Sequence, residues 1–370
     1  MRTTEPPLSP DVAAKRGGLR TGWTTGTCAS AAAKAAAIGL TTGAAPATVD
    51  VALPDGRRVT FDVESASERP APNRCVVVKD AGDDPDCTDG ARITATVEPL
   101  PPGIEPTDGQ AVLVAGPGVG TITMPGLGLP VGAPAINPVP RRMILAALAE
   151  VTAQPLRVVF EVPGGEAMAA KTSNARLGIV SGISILGTTG VVRPFSTASY
   201  RASVVQQVDV AAAQGERTIV LATGSRSDAA AQRLLPHLPA VCFVEVGDFT
   251  GIALRHAAAA GMTHAVFVGM AGKIAKLAAG VMMTHFHRSQ VDGELLADVA
   301  KAAGAPVAVV EAATATATAR HFFEACMEAR APAPLQLLCA KAKAACESHS
   351  GLSVDVLMVD FDGDQVVAGA

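Results

Sequence analysis

Residues Ile219–Asp228, IVLATGSRSD, decide the fold: four apolar residues run directly into Thr223-Gly224-Ser225, and a helix-forming stretch begins near Ala229. A short, wholly apolar strand of this kind suits a sheet covered on both faces, and a glycine-bearing turn into a helix is the joint of a strand–helix–strand unit. The pattern returns at Val241–Val246 and Ala265–Val268, closed by the turns Gly247–Gly251 and Gly269–Lys273. From Arg217 onward the chain therefore reads as an α/β domain with a mainly parallel sheet. Val307–Val310, just after Pro306, reads as one more strand, the Ala-Thr run Ala312–Ala319 as helix or loop, and Leu352–Phe361 as a closing strand pair.

Upstream the pattern is different. Strand-like runs at Val49–Leu53, Val59–Val63 and Cys75–Val78 are separated by turns such as Pro54-Asp55-Gly56. Two helices interrupt them: Ala29–Ala37, entered through the hydroxyls of Thr24, Thr25 and Thr27 around Gly26, and Arg141–Val151, which follows Pro138 and Pro140. A chain of 370 residues exceeds the size of a single growing core. The expected organisation is α/β plus α+β: a disordered tail at 1–18, an α+β domain at 19–175 contributing to substrate binding, and an α/β domain at 176–370 whose last strands pack on the first domain.

Composition narrows the function. With 49% hydrophobic and 17% charged residues the chain should fold, and although mean hydropathy is +0.32, no apolar run of the length needed to span a bilayer occurs. The first residues lack the apolar core of a secretion signal, and seven scattered cysteines without a Cys-x-x-Cys pair suit a reducing cytoplasm. A net charge of −4 and 3% aromatics supply neither the basic face nor the stacking surface of a nucleic-acid binder. A small-molecule partner is expected, with no nucleic acid and no membrane.

Three groups of residues could carry chemistry. The first is the edge formed by Thr223, Gly224 and Ser225, by Glu245 some 20 residues later at a strand end, and by Gly247, Asp248, Gly269 and Gly272 in the next two turns. Open α/β sheets bind ligands at that edge, turn amides can face the ligand, and an acidic residue at this spacing can hold ribose hydroxyls. Ordinary loop closure is the plain alternative.

The second group is DAGDDPDCTDGA at Asp80–Ala91, which crowds Asp83, Asp84, Asp86 and Asp89 into one loop. A calcium loop lacks its spacing here, so the loop is a solvated acidic turn or a site where Asp84 or Asp86 has a raised pKa and acts as acid or base. The third group combines the glycine segments Gly116–Gly120 and Gly187–Gly190, including Thr188 and Thr189, with Arg141, Arg142, Arg176 and Arg193, which could fork onto carboxylates of an acidic substrate. His285 and His287 alternate in MMTHFH without a third metal ligand, so no metal is expected on the protein.

These segments together resemble the cobalt-precorrin-5B C(1)-methyltransferase family, the CbiD type. The likeness rests on LRTGWTTGTCASAAAKAAA at Leu19–Ala37, the acidic loop at Asp80–Ala91, GPGVGTITMPGLGLPVGAPAINPVPRRMI at Gly116–Ile144, the stretch Val162–Ser196 and GKIAKLAAGVMMTHFHRSQVD at Gly272–Asp292. Met124 departs from it, standing where the pattern would carry a basic residue. The resemblance implies methylation of C1 of cobalt-precorrin-5B to cobalt-precorrin-6A in cobalamin biosynthesis, with S-adenosylmethionine as donor and cobalt carried by the tetrapyrrole substrate. It also implies a two-domain build, one domain α+β and the second, at 176–370, Rossmann-like with a mainly parallel sheet, and it leaves room for a homo-oligomer. A base that tunes the macrocycle would be Asp84, Asp86 or His285, and Thr24–Thr27, Arg141, Thr188, Thr189 and Arg193 would meet the substrate. Two other readings stand beside it: a phosphate-ligand transferase or kinase with its anion at Thr24–Thr27, and a non-catalytic corrin- or adenosylmethionine-binding protein.

Overall fold

The computed structural model describes residues 18–65, 71–284, 292–315 and 318–370. The chain is mixed α/β, and it divides into two compact units at Ser196/Thr197.

In the first unit, β1 (Gly22–Trp23) leads into α1 (Thr25–Thr42). Thr24 caps this helix, its hydroxyl accepting the Thr27 amide at 3.2 Å, and Gly43 ends it at φ 80° with its amide on Gly39 O. Alanine supplies helix propensity and a thin profile, so α1 is buried on nearly every side, from Cys28 to Ala37. The hairpin β2 (Thr48–Ala52) and β3 (Arg58–Asp62) follows, then β4 (Glu64–Ser65), β5 (Arg74–Val78), β6 (Arg92–Pro99), β7 (Ala111–Ala115), β8 (Gly118–Val119) and β9 (Thr121–Ile122). After α2 (Pro138–Ala149) and β10 (Leu156–Glu161), a sheet of order β4-β5-β6-β10-β7 is complete, antiparallel except for β10 on β7. Its alternate residues Cys75, Val77, Ile93, Ala95, Val97, Val158 and Phe160 form one core with the alanines of α1.

A short helix α3 (Gly165–Ala169) precedes β11 (Ile179–Val180), β12 (Gly182–Ile183) and β13 (Val191–Val192), which pair with β9, β8 and β1 respectively. These pairings correct the boundary expected after residue 175: the segment 176–196 belongs to the first unit because its three short strands close ladders there.

The second unit opens with α4 (Thr197–Ala213), β14 (Thr218–Ala222), α5 (Ser225–Leu234), β15 (Phe243–Glu245), α6 (Thr250–Ala259), β16 (His264–Gly269) and α7 (Ala271–Ala278). Four helices follow, α8 (Gly293–Ala302), α9 (Val307–Ala315), α10 (Ala319–Glu328) and α11 (Ala333–Ser350), before β17 (Ser353–Val359) and β18 (Val366–Gly369). The sheet order is β15-β14-β16-β17-β18, parallel throughout except for β18 at the edge.

Val307–Val310 is the first turn of α9 and not a strand. The Pro306 carbonyl accepts the amides of Val309 (2.9 Å) and Val310 (3.3 Å), and proline ahead of an alanine-rich run starts a helix whatever the branching of its first residues. The expected strand pair at 352–361 is a single strand, β17, whose partner β18 comes later. The expected strand 241–246 is shorter, because Pro239 starts a 3₁₀ turn at Ala240–Cys242.

Candidate functional site

The carboxyl ends of β14, β15 and β16 lie side by side, and the chain steps from β14 to β15 on one flank before returning to β16 on the other. Such a reversal leaves a crevice beyond the strand ends. Thr223, Gly224, Ser225, Glu245, Gly247, Asp248, Gly269 and Gly272 are all placed at this one edge.

Their individual roles differ from the expectation in two respects. The amides of Thr223 and Gly224 do not wait for a ligand: the Ser227 hydroxyl accepts both, at 3.0 and 3.1 Å, and donates to Gly224 O at 2.9 Å. Asp248 is bound into a clasp. Its carboxylate pairs with Lys273, its carbonyl accepts the Thr284 amide at 3.1 Å, and the ammonium groups of Lys273 and Lys276 each donate to Thr284 O at 3.2 Å. Burial, and then the neighbouring Lys273 charge, lower the pKa of Lys276, while Asp248 opposes the shift.

Two positions of the edge leave space. Apart from chain neighbours and their own helix backbone, no described atom lies within 4 Å of where a Cβ would stand on Gly224 or Gly272. Glu245 is half-buried at the end of β15, and its carbonyl accepts the Tyr200 hydroxyl at 3.1 Å. Lys273, Lys276, Thr284 and Tyr200 were not among the residues expected here. The i, i+3 lysines of GKIAK were the available signal, since a lysine on the apolar face of a buried helix needs a partner.

A cavity of about 400 Å³ opens elsewhere on the same sheet, toward the amino ends of β14, β16 and β17, lined by Thr218, His264, Asp355 and Leu357 among others. Its polar wall is the His264–Asp355 pair, Nε2 to Oδ2 3.0 Å.

In the first unit the acidic loop is fully compensated. Asp80 pairs with Arg20, Asp83 accepts the Arg20 amide at 2.6 Å, Asp84 accepts the Phe195 amide at 2.8 Å, and Asp89 accepts the Ala81 amide at 2.8 Å. Asp86 accepts the Thr88 amide and hydroxyl at 2.8 and 2.7 Å and the Lys79 ammonium at 2.7 Å. The Lys79 side chain is 1% exposed.

A raised pKa, expected from carboxylate crowding, is therefore wrong for Asp86. Burial alone would raise it, but Lys79 and Thr88 stabilise the anion and hold the carboxyl below its ordinary range. Asp80 is likewise lowered, chiefly by its hydrogen bond from Arg20.

Thr24, Thr25, Gly26 and Thr27 are stitched to the segment 184–190 of the same unit. Thr25 Oγ1 accepts the Leu186 amide at 2.9 Å, Gly26 N donates to Leu186 O at 3.0 Å, and Thr27 Oγ1 donates to Gly190 O at 2.7 Å. These groups already serve the protein, which removes the ground for a phosphate site at this helix start.

The glycine segments are similarly filled by protein. A Cβ on Gly118 would stand 1.9 Å from Val162 O, and one on Gly187, at φ +135°, would stand 2.5 Å from Thr24 Cβ and Oγ1. Thr188, Thr189 and Arg193 are exposed, with Thr189 Oγ1 donating to Val191 O at 3.1 Å.

Arg141, in the first turn of α2, pairs through Nη1 with Asp108, while Nε and Nη2 are buried without a hydrogen-bond partner among the described residues. Two donors of the guanidinium are thus left unsatisfied inside the protein. His285 and His287 lie outside the described residues. Among the described residues no group of His, Cys, Asp or Glu is arranged to hold a metal ion, and no helix is long and apolar enough to cross a membrane.

The CbiD family model matches residues 12–194, and the model for the CbiD C-terminal domain matches residues 283–370. A cobalt-precorrin-5B C(1)-methyltransferase of Salinispora arenicola is 57% identical over 99% of this chain and 96% of its own, and that of Rubrobacter xylanophilus is 56% identical over 97% and 93%. A crystal structure of cobalamin biosynthesis protein (cbiD) from Archaeoglobus fulgidus covers 75% of this chain and 89% of its own at 28% identity and a TM-score of 0.40. With both family models matched and near-complete relatives above half identity, the chain belongs to the CbiD family.

Proposed function

We propose that this chain is a cobalt-precorrin-5B C(1)-methyltransferase of cobalamin biosynthesis, working in the cytoplasm with S-adenosylmethionine as donor and a cobalt-bearing tetrapyrrole as substrate. The second unit, Thr197–Ala370, acts as a Rossmann-like donor domain. The observation that carries this reading is the carboxyl edge of its parallel sheet, where Glu245 ends β15 next to β14, whose turn carries Gly224, and Gly272 follows β16 on the other side of β14.

The residues present there fit an adenosyl ligand. Glu245 would hold ribose hydroxyls, while the bare Cα atoms of Gly224 and Gly272 leave room at the strand ends. When bound, the donor supplies an electrophilic methyl on a sulfonium centre.

The chain's own task is to align the nucleophilic ring carbon with that methyl and to exclude water, which needs no covalent enzyme intermediate. In the first unit, Arg141 would contribute positive charge toward a carboxylate of the substrate. Thr188, Thr189 and Arg193 are exposed and would meet the rim of the ring. Asp84 is the group to test as a base toward the macrocycle, because Asp86 is committed to Lys79.

The test is transfer of label from methyl-labelled S-adenosylmethionine to cobalt-precorrin-5B by the purified protein. Label in the tetrapyrrole fraction together with S-adenosylhomocysteine is the expected result. Donor binding without transfer would instead favour a carrier, and phosphate transfer from ATP a kinase.

A further inference from the structure

The chain contains one tyrosine, Tyr200, and only 3% aromatic residues. That tyrosine sits in the first turn of α4, at the carboxyl edge of β15. Its ring lies across Gly247, so that a Cβ there would meet Cε1 and Oη at 3.0 Å, and Gly247 itself takes φ +54°. It stacks on Phe249, with centroids 5.8 Å apart at 27°, and its hydroxyl donates to Glu245 O at 3.1 Å. Phe249 is a core residue at 4% exposure, whereas Tyr200 is 41% exposed. The phenol is therefore fixed against the turn two residues beyond Glu245, while part of the Tyr200 surface stays exposed.

We infer that Tyr200 is the stacking platform for the adenine of the methyl donor. This rests on the donor-edge reading above and adds to it the residue that reads the base. Three features of the geometry argue for it. The ring is held in one orientation by a hydrogen bond and an aromatic neighbour, so little entropy remains to be lost on stacking. It stands beside Glu245, which would hold the sugar of the same nucleoside. The turn beneath carries a glycine where any side chain would displace the ring. Burial first, and then the Glu245 and Asp248 carboxylates, push the phenol pKa up, so the hydroxyl stays a donor to the strand-end carbonyl.

The test uses the full chain with S-adenosylhomocysteine as probe and binding as readout. Because there is one tyrosine, ring-¹³C-tyrosine labelling gives a single site, and its proton signals should move upfield when the probe binds. By titration calorimetry Tyr200→Phe should bind within about threefold of the parent, and Tyr200→Leu about tenfold more weakly, the size of one base–aromatic stack.

If the probe binds the parent but leaves the tyrosine signal unmoved, or Tyr200→Leu binds as tightly or more tightly, the ring is a plug or a packing residue and the inference fails while the donor edge stands. If the parent does not bind the probe at all, both fail. Should Tyr200→Leu not fold, the labelled parent decides alone.

Discussion

Replacing Asp86 by asparagine would leave the buried Lys79 ammonium without the carboxylate it pairs with. The amide keeps the shape of the carboxyl and can still accept from Thr88, so the change isolates the ion pair at 2.7 Å. Breaking a buried pair from one side costs about 3–5 kcal/mol. The Asp86 side chain is 24% exposed, which places the loss near the lower end, about 3 kcal/mol.

The assay is urea unfolding followed by the emission of Trp23. This is the only tryptophan in the chain, and it lies in the same unit, its amide on Asp80 O at 2.7 Å and its ring edge-on to Phe61 at 5.4 Å. With a slope of about 2 kcal/mol per M, the midpoint should fall by about 1.5 M. The double change Lys79→Met with Asp86→Asn removes the stranded cation and should recover at least half of the loss.

The effect should also depend on pH with a definite sign. The folded-state pKa of Asp86 lies below the ordinary value of 3.8, so the parent's advantage is full above that value and is lost as pH falls through the folded-state pKa. A single variant within about 0.5 kcal/mol of the parent at neutral pH, the size of an ordinary surface change, would refute the claim that this pair organises the acidic loop.

Two further outcomes are expected. Gly187→Ala should destabilise the first unit by about 2–4 kcal/mol in the same Trp23 assay, because its Cβ would meet Thr24 at 2.5 Å on a backbone at φ +135°; an unchanged midpoint would show that the clasp around the start of α1 is loose. Arg141→Lys keeps the charge on Asp108 but loses the planar fork, so the KM for the tetrapyrrole should rise about tenfold with kcat within about threefold; an unaltered KM would remove Arg141 from the substrate site.

The second unit was readable in sequence where local pattern and tertiary placement agree. Ile219–Ala222 is apolar on both faces and runs straight into a glycine turn, and the structure has β14 there with a parallel neighbour on each side. At Val307–Val310 the two disagreed, because a four-residue apolar run has no period long enough to tell strand from helix, and Pro306 settled it.

The end of the first unit was not legible at all. Gly182–Ile183 pairs with Gly118–Val119 across more than sixty residues through two-residue strands, which carry no alternation to read. That Thr223, Glu245, Asp248 and Gly269 share one edge was legible because a parallel sheet gathers the turns after its strands at one edge. Their uses were not, since Ser227 takes the turn amides and Lys273 takes Asp248, pairings set by helix phase. In the acidic loop the aspartates were counted but the adjacent cations were not. Lys79 follows an apolar strand and Arg20 precedes β1, and together with five amide donors they convert apparent repulsion into a framework.

Hydrogen–deuterium exchange of the full chain with and without S-adenosylhomocysteine tests most directly where the donor sits. Slowed exchange in peptides covering 223–228, 246–250 and 270–273 is the predicted result. No protection there, or protection instead around Thr218, His264 and Asp355 at the cavity toward the other end of the strands, would contradict the account.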